Sequence, residues 1–409
     1  MSDCYTNSLM SLQDGLNRLL STVKPVTDIE LLALEKLDGR IIGKALVCPM
    51  NVPPADNSAM DGYGVRFADC AKGTPLNCIG QSMAGQPFEG NINAGECVRI
   101  MTGSIVPEGV DSVVMQEQVI RDGDTVTLQN SVKEGQNIRR AGEDLAADQL
   151  LFEIGHKITP ADIGLLASLG IAQVTVYRKP RIALISNGDE LIEPGAPLSK
   201  GQIYESNRYA LAALLRRLPL DVDEFGIIPD QPDALREAFS KAANYDAVIS
   251  SGGVSVGDAD YIKVILDEMG QIDFWKLAIK PGKPFAFGTL GQAHYFGLPG
   301  NPVSAMVTCH QLAVPALRQL TGELVAAPLK LVATCTEAIR KRPGRMDFQR
   351  GIVERGDDGV LCVRTTGKQG SGIMSSLSHA NCYLLLAQDR GAVAAGEQVE
   401  ILLFDQLMG

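Results

Sequence analysis

The tract Ser251-Gly252-Gly253-Val254-Ser255-Val256-Gly257 follows an apolar run, DAVISS (246–251), and precedes a helical pattern at 260–269. Backbone N–H groups in such a loop, at the start of a helix, can hold an anion. Asp258 and Asp260 would then place carboxylates beside that anion, as a phosphate-bridging Mg²⁺ requires. The plain alternative is a tight turn followed by acids that a helix N-terminus favours anyway. The loop matches neither a Walker loop nor a dinucleotide fingerprint. Ser186-Asn187-Gly188-Asp189-Glu190 also follows a strand-like run. It is either Asn-Gly turn chemistry with solvated acids or a second lip of the same cleft, with Glu190 as metal ligand or water-positioning carboxylate. Asp230 puts an acid at a third strand end, where a helix N-cap role serves equally well. Three strand ends each carrying an acid say more than any one of them.

Three lysines punctuate WKLAIKPGKP: Lys276, Lys280 and Lys283. The tract is either a solvated charged face or a proline-stiffened loop whose ammonium groups suit phosphate or a molybdate-like oxyanion. Gly297-Leu298-Pro299-Gly300-Asn301-Pro302 is a rigid turn opening a helix, able to cap and pack or to present N–H groups to an anion. In PADNSAMDGYGV (54–65), Asp56, Asn57, Ser58 and Asp61 form either an Asx-turn cluster or part of a site. Met101-Thr102-Gly103 and Arg139-Arg140-Ala141-Gly142-Glu143-Asp144 share that ambiguity, and the double arginine can pair with Glu143 and Asp144 or reach a ligand on a neighbouring subunit. His156, His294, His310 and His379 show no metal-ligand spacing, and no Ser-His-Asp or Cys-His arrangement is evident. The chemistry reads as metal-assisted handling of oxyanions, not acyl transfer.

The elements that must position these residues are clearest from 180 onward. IALIS (182–186) suits a parallel strand covered on both faces. Helix-like YALAALLRRL (209–218), strand-like DVDEFGII (221–228), a helix at 232–243, strand DAVISS and a helix at 260–269 complete a β-α-β-α-β pattern. That is the signature of a doubly wound sheet, whose ligands bind beyond the carboxyl ends of the strands. Upstream, apolar spacing predicts helix from Leu12 to Leu20 and again around Leu31, Leu34 and Leu37. Short apolar runs between 49 and 150 predict a β-rich module, and ADIGLLASLG (161–170) predicts a helix. The stretch 329–404 reads as a small barrel or sandwich.

Bulk properties narrow the classes. A formal charge of −11 argues against non-specific nucleic-acid binding. No apolar run reaches the roughly 18 residues of a membrane helix, and the N-terminal stretch does not read as a signal peptide. Nine cysteines with no C-x-x-C pair indicate neither a disulfide framework nor a structural zinc site, so a cytoplasmic protein with reduced thiols is expected.

DNSAMDGYGV, RIMTG, NIRRAGED, SNGDEL, SSGGVSVGDADY, KLAIKPGKPFAFG and GLPGNPVSA occur in this order between about 50 and 310. Together they resemble the MoeA family, the molybdopterin molybdenumtransferases, to which the E domain of gephyrin is related. The resemblance implies an elongated homodimer of multidomain α/β plus β subunits. It divides each chain into a discontinuous N-terminal helical and linker domain (1–50 and 140–179), a β-rich domain (51–139), a doubly wound molybdopterin-binding domain (180–326) and a C-terminal β-barrel (327–409). It implies insertion of molybdate into adenylylated molybdopterin with Mg²⁺-dependent release of AMP, in a cleft shared between subunits. Asp61 and Thr102 would come from the partner-contributed module, with Asp144 nearby. Glu190, Asp230 and Asp260 would hold the metal or promote phosphoanhydride cleavage, and Lys276 and Lys280 would meet oxyanion or phosphate. Ser251, Gly252, Gly253, Ser255 and Gly257 of the glycine loop, Pro299 and Pro302 of the molybdate-side loop, and Ser371 in GKQGSG would contact substrate. The molybdopterin adenylyltransferase and downstream molybdoenzymes are the implied partners. Two alternatives stand beside this reading: a scaffold that holds the pterin without catalysis, and the preceding adenylylation step. The chain departs from the family pattern at Ala55, Gly64, Ser104-Ile105 and Asn187, the last in place of a usual threonine.

Overall fold

A computed structural model describes residues 9–252, 261–405 and 407–408. They form two compact units, one of Met1–Gly43, Ile154–Thr159 and Gln173–Gly409, the other of Lys44–Glu153 and Pro160–Ala172.

The first unit is built on a six-stranded sheet. Its strands are β1 (Arg181–Asn187), β2 (Asp221–Ile228), β3 (Ala247–Ser251), β4 (Gly270–Lys276), β5 (Pro284–Leu290) and β6 (Ala293–Leu298), in the spatial order β2-β1-β3-β6-β5-β4. β1, β2, β3 and β6 run parallel, while β5 is antiparallel to β6 and to β4. β4 therefore points the same way as the parallel strands, and its last residue, Lys276, lies on their carboxyl edge. The residues of β1 show why the sheet is covered on both faces. Ile182 and Leu184 join one core with α1 (Asn207–Leu215), α4 (Pro302–Thr308) and the N-terminal helix Leu12–Thr22. Ala183 and Ile185 join the opposite core with α2 (Pro232–Ala242) and α3 (Tyr261–Met269). With a side-chain period of two and both faces apolar, only a doubly wound sheet satisfies the sequence.

In the same unit, Leu331–Cys335, Met346–Arg355, Leu361–Thr365, Cys382–Leu386 and Gln398–Leu403 form a small barrel, closed where Met346–Arg355 pairs with Cys382–Leu386. The short strand Ile279–Lys280 adds to its edge against Met346 and Asp347. The second unit holds a curled six-stranded sheet, ordered Ser112–Met115, Gly62–Val65, Glu96–Ile100, Pro75–Ser82, Thr125–Leu128 and Val119–Asp122. Its core includes Tyr63, Val65, Leu76, Cys97, Val114 and Val126.

The helix expected around Leu31, Leu34 and Leu37 is not formed. Ile29–Ala33 is a strand paired with Gln173–Tyr177, and Leu34–Lys36 is a single 3₁₀ turn. Pro25 ends helical continuity there, and long-range pairing with a β-branched partner overrides the local leucine spacing. The lysine tract also gains regular structure that its composition hid, because Trp275 and Lys276 close β4 while Lys280 belongs to the barrel edge.

Candidate active site

The carboxyl edge of the sheet carries Asp230 and Glu190, two of the acids predicted from the sequence. At the end of β1, Asn187 is 7% exposed, and its Nδ2 donates to Asp230 Oδ1 at 3.0 Å. The Asp230 N–H donates in turn to Asp189 Oδ1 at 3.0 Å. Asp230 does not cap α2, whose N-cap position is Gln231, so the alternative offered for this acid is not realised. Gly188 has φ +146°, and a Cβ there would stand 2.7 Å from Glu190 Oε2, so the Glu190 carboxylate folds back over the turn. β3 ends at Ser251, 3% exposed, and continues into Gly252 at φ +107°. A Cβ on Gly252 would meet the Asn187 carbonyl oxygen at 2.8 Å and its Oδ1 at 3.0 Å. Only glycine lets these two loops approach so closely.

Asn207, the first residue of α1, braces the edge. Its Nδ2 donates to Ser251 Oγ and to the Gly300 carbonyl, both at 2.8 Å. It thereby joins the glycine loop to the turn after β6, where Pro299 is buried and Pro302 opens α4. The Val303 N–H donates to the Ser371 carbonyl at 3.0 Å, which sets the GKQGSG turn against the start of α4. Sequence reasoning missed Asn207. The available signal was a Ser-Asn pair immediately before an apolar helical run, a pattern that marks a helix start.

Lys276 shares this edge but sits at its far end, and Lys280 follows it on the barrel-edge strand. β4 is four strands from β1, and at about 4.8 Å per strand the separation is on the order of 20 Å. Lys280 pairs at 3.3 Å with the buried carboxylate of Asp347, which draws part of its charge toward the barrel. Gly253, Ser255, Gly257, Asp258 and Asp260 lie outside the described residues.

In the second unit, Asp61 Oδ1 accepts from both the hydroxyl and the N–H of Thr102, at 2.7 and 2.8 Å. These bonds, the hydroxyl's first, hold the Asp61 carboxyl below its ordinary value. The Gly103 N–H donates to the Ser58 carbonyl, fastening the Met-Thr-Gly turn to the DNSAMDGY segment. Beside Ser58, an open cleft of about 470 Å³ is lined by Val52, Pro53, Asn57, Arg139, Glu143 and Asp144. Asn57 Oδ1 is buried without a partner. The two arginines divide their work. Arg140 pairs with Asp56 at 2.6 Å, and its N–H donates to Glu143, whereas Arg139 lines the cleft. Asp56 and Ser58 thus serve local structure, Ser58 through its hydroxyl bond to the Met60 carbonyl.

Among the described residues, no three His, Cys, Asp or Glu side chains converge as a metal cluster. Oxygen-only donors suit Mg²⁺, which typically takes one or two carboxylates and fills its other positions with water and substrate phosphate. Asp230 and Glu190 fit that pattern. No helix among the described residues is long and apolar enough to cross a membrane.

Comparison with known proteins agrees along nearly the whole chain. Residues 10–170 match the MoeA N-terminal region (domain I and II), 183–319 a probable molybdopterin binding domain, and 332–404 the MoeA C-terminal region (domain IV). A molybdopterin molybdenumtransferase of Haemophilus influenzae is 44% identical over 404 residues, covering 98% of this chain and 100% of the relative. One from Nostoc is 34% identical, covering 96% and 93%. The crystal structure of a molybdopterin biosynthesis moeA protein from Pyrococcus horikoshii superposes with a TM-score of 0.84 at 29% identity, over 97% of this chain and all of that one. The ordered motifs, the doubly wound sheet with its acid-bearing edge and these matches agree: the chain belongs to the MoeA family of molybdopterin molybdenumtransferases.

Proposed function

We propose that the chain inserts molybdenum into molybdopterin at the carboxyl edge of its α/β sheet, taking adenylylated molybdopterin and molybdate and releasing AMP. The observation that carries this reading is the assembly, on one sheet edge, of Asp230, Asp189 and Asn187 with the Ser251-Gly252 turn and the Gly300 loop, tied together by Asn207. An edge with acids at one end and lysines on the order of 20 Å away suits an extended substrate with phosphate in its middle. Molybdate is a tetrahedral dianion that backbone N–H groups and lysines can hold. The metal passes to the dithiolene that the substrate carries, so no protein Cys or His ligand set is needed.

Glu190, Asp230 and Asp260 are the residues that would hold Mg²⁺, which when bound neutralises charge at the phosphoanhydride. Asp189 and Asn187 keep Asp230 in place, and Asn207 keeps the two anion-side loops at fixed separation. Ser251 and Gly252, with Gly253, Ser255 and Gly257 of the same loop, would supply backbone and hydroxyl donors to the substrate, and Pro299, Pro302 and Ser371 would shape the neighbouring wall. Lys276 and Lys280, on the order of 20 Å along from the acids, supply positive charge for an oxyanion or phosphate group of the substrate. The same proposal includes the four-domain division given above, a cytoplasmic setting and a homodimer in which Asp61, Thr102 and Asp144 of one subunit complete the cleft of the other. It also includes encounters with the adenylyltransferase upstream and molybdoenzymes downstream.

Glu190→Gln and Asp260→Asn test the carboxylate roles. Each should lower molybdate-dependent AMP release by at least about tenfold, a barrier increase of about 1.4 kcal/mol. Wild-type rates in both variants would remove these acids from the mechanism.

A further inference from the structure

The connection from β1 to α1, residues 188–206, is far longer than the usual βα loop of about two to six residues. It begins with the turn that carries Glu190 and ends beside Asn207. Between Asp189 and Ser206 only Glu205 is buried, so apolar burial does not hold this segment in place. Polar bonds do. Inside the loop, Leu191–Ile192 pairs with Ile203–Tyr204. The Ile203 N–H donates to the Glu190 carbonyl and the Glu205 N–H to the Ile192 carbonyl, both at 2.9 Å. Toward α1, the Arg208 N–H donates to Glu205 Oε1 at 3.0 Å. The Arg208 guanidinium makes the longer reach. Its Nη2 lies 2.6 and 2.7 Å from the two carboxylate oxygens of Glu193, and its Nη1 donates to Glu224 Oε2 at 3.0 Å. The Tyr209 hydroxyl adds a bond to Glu193 at 2.8 Å.

The two ends of this bridge differ. The Arg208 side chain is 10% exposed and stays paired with Glu224, which Arg216 also holds at 2.6 Å. The Glu193 side chain is 49% exposed and stands on the loop, shortly after Glu190. We propose that Arg208 is a positioning residue for the transfer reaction. Through Glu193 it latches the 188–206 loop to α1 and so sets the place of Glu190 on the sheet edge. Charge-assisted bonds of this kind are the stronger class, and the planar guanidinium fixes direction as well as distance. The first two residues of α1 then brace the whole edge. Asn207 holds the glycine loop and the Gly300 turn, and Arg208 holds the acidic loop. A loop without apolar anchorage opens locally at little cost, so removing its polar tie changes the population of closed loops and leaves the fold intact. The inference rests on the catalytic reading of Glu190.

The test uses the purified full chain, with Glu193→Ala, Arg208→Lys, Glu190→Gln and the double variant of Glu190→Gln with Glu193→Ala. Glu193→Ala leaves Arg208 paired with Glu224, so its melting temperature should stay close to that of the wild type. Amide hydrogen exchange should quicken by about tenfold at Ile203 and Glu205 and stay unchanged in β1 and β3. In AMP-release assays kcat should fall by about tenfold, with KM for the adenylylated pterin little changed. Arg208→Lys keeps the charge but loses the fork that serves two carboxylates, and should fall between the two. Because Glu193 acts through Glu190, adding Glu193→Ala to Glu190→Gln should cost no further rate. A merely structural tie would slow both backgrounds alike. Wild-type exchange at Ile203 and Glu205 in folded Glu193→Ala would overturn the inference. So would a rate loss that multiplies that of Glu190→Gln. Failure of the Glu190 reading looks different: Glu190→Gln would then release AMP at the wild-type rate whatever the exchange shows, and the latch would have no catalytic acid to position.

Discussion

Asn207 illustrates how much one side chain can organise. Its amide reaches Ser251 and Gly300 with two bonds of 2.8 Å, and these loops come from strands that are neighbours in space but far apart in sequence. Asn207→Ala removes both and leaves the Gly300 carbonyl to find another partner. The expected cost is about 1–3 kcal/mol in urea denaturation, with a fall in AMP release of tenfold or more from misaligned loops. Unchanged activity would mean that the loops hold their spacing without it. Asp61 gives a second residue-level expectation. Thr102→Val removes the hydroxyl donor but keeps the N–H, so the Asp61 carboxyl should rise toward its ordinary value, as read by carbon-detected NMR titration. At this scale the sequence was most informative about charge, since Glu190, Asp230 and the lysines stand out by type. It was least informative about amides, because an asparagine that braces two loops and one that merely turns a chain look identical until the fold brings partners from 44 and 93 residues away.

At the scale of elements, glycines mark where backbones must touch. The DGYG segment leads into the strand Gly62–Val65, which lies between Ser112–Met115 and Glu96–Ile100 in the curled sheet, and a Cβ on Gly62 would stand 2.0 Å from the Val114 carbonyl oxygen. Gly62→Ala should therefore destabilise the chain by about 1–3 kcal/mol or more through forced strand separation, measurable as a lower urea midpoint. This part of the motif serves packing, whereas Asp61 beside it faces Thr102. The strands and helices from 181 to 269 could be read in advance because a buried parallel strand has a continuous apolar run and its crossover helices have their own period. Leu31, Leu34 and Leu37 misled for the opposite reason. Their helical spacing belongs to a strand, a 3₁₀ turn and a buried side chain, in a segment fixed by pairing with Gln173–Tyr177. β4 and β5 were hidden by Lys276, Lys280 and the prolines between them, whose turn chemistry masks the hairpin they join.

For the whole molecule, the half-buried Asp246 and the more exposed Asp405 both contribute to the response to acid. Burial alone would raise the Asp246 carboxyl, but bonds from Arg178 and the Arg181 N–H outweigh it and hold the group below its ordinary value. Asp405 is likewise pushed up by burial and held lower by His310 and two backbone N–H groups. With folded values below the unfolded ones, the stability these groups contribute is present above an unfolded pKa of about 3.9 and is lost as pH falls through the folded values. Melting temperature should drop steeply below about pH 4, and Asp246→Asn should flatten that drop. The proposed homodimer belongs to this scale as well; light scattering that found only monomer at micromolar concentration would contradict it. The central claim is that this chain transfers molybdenum, and the most direct measurement is AMP release from adenylylated molybdopterin, with and without molybdate and Mg²⁺. Release that requires both is the predicted result. Tight binding of the adenylylated pterin with no release under any condition would contradict it and leave the acids of the sheet edge without a chemical purpose.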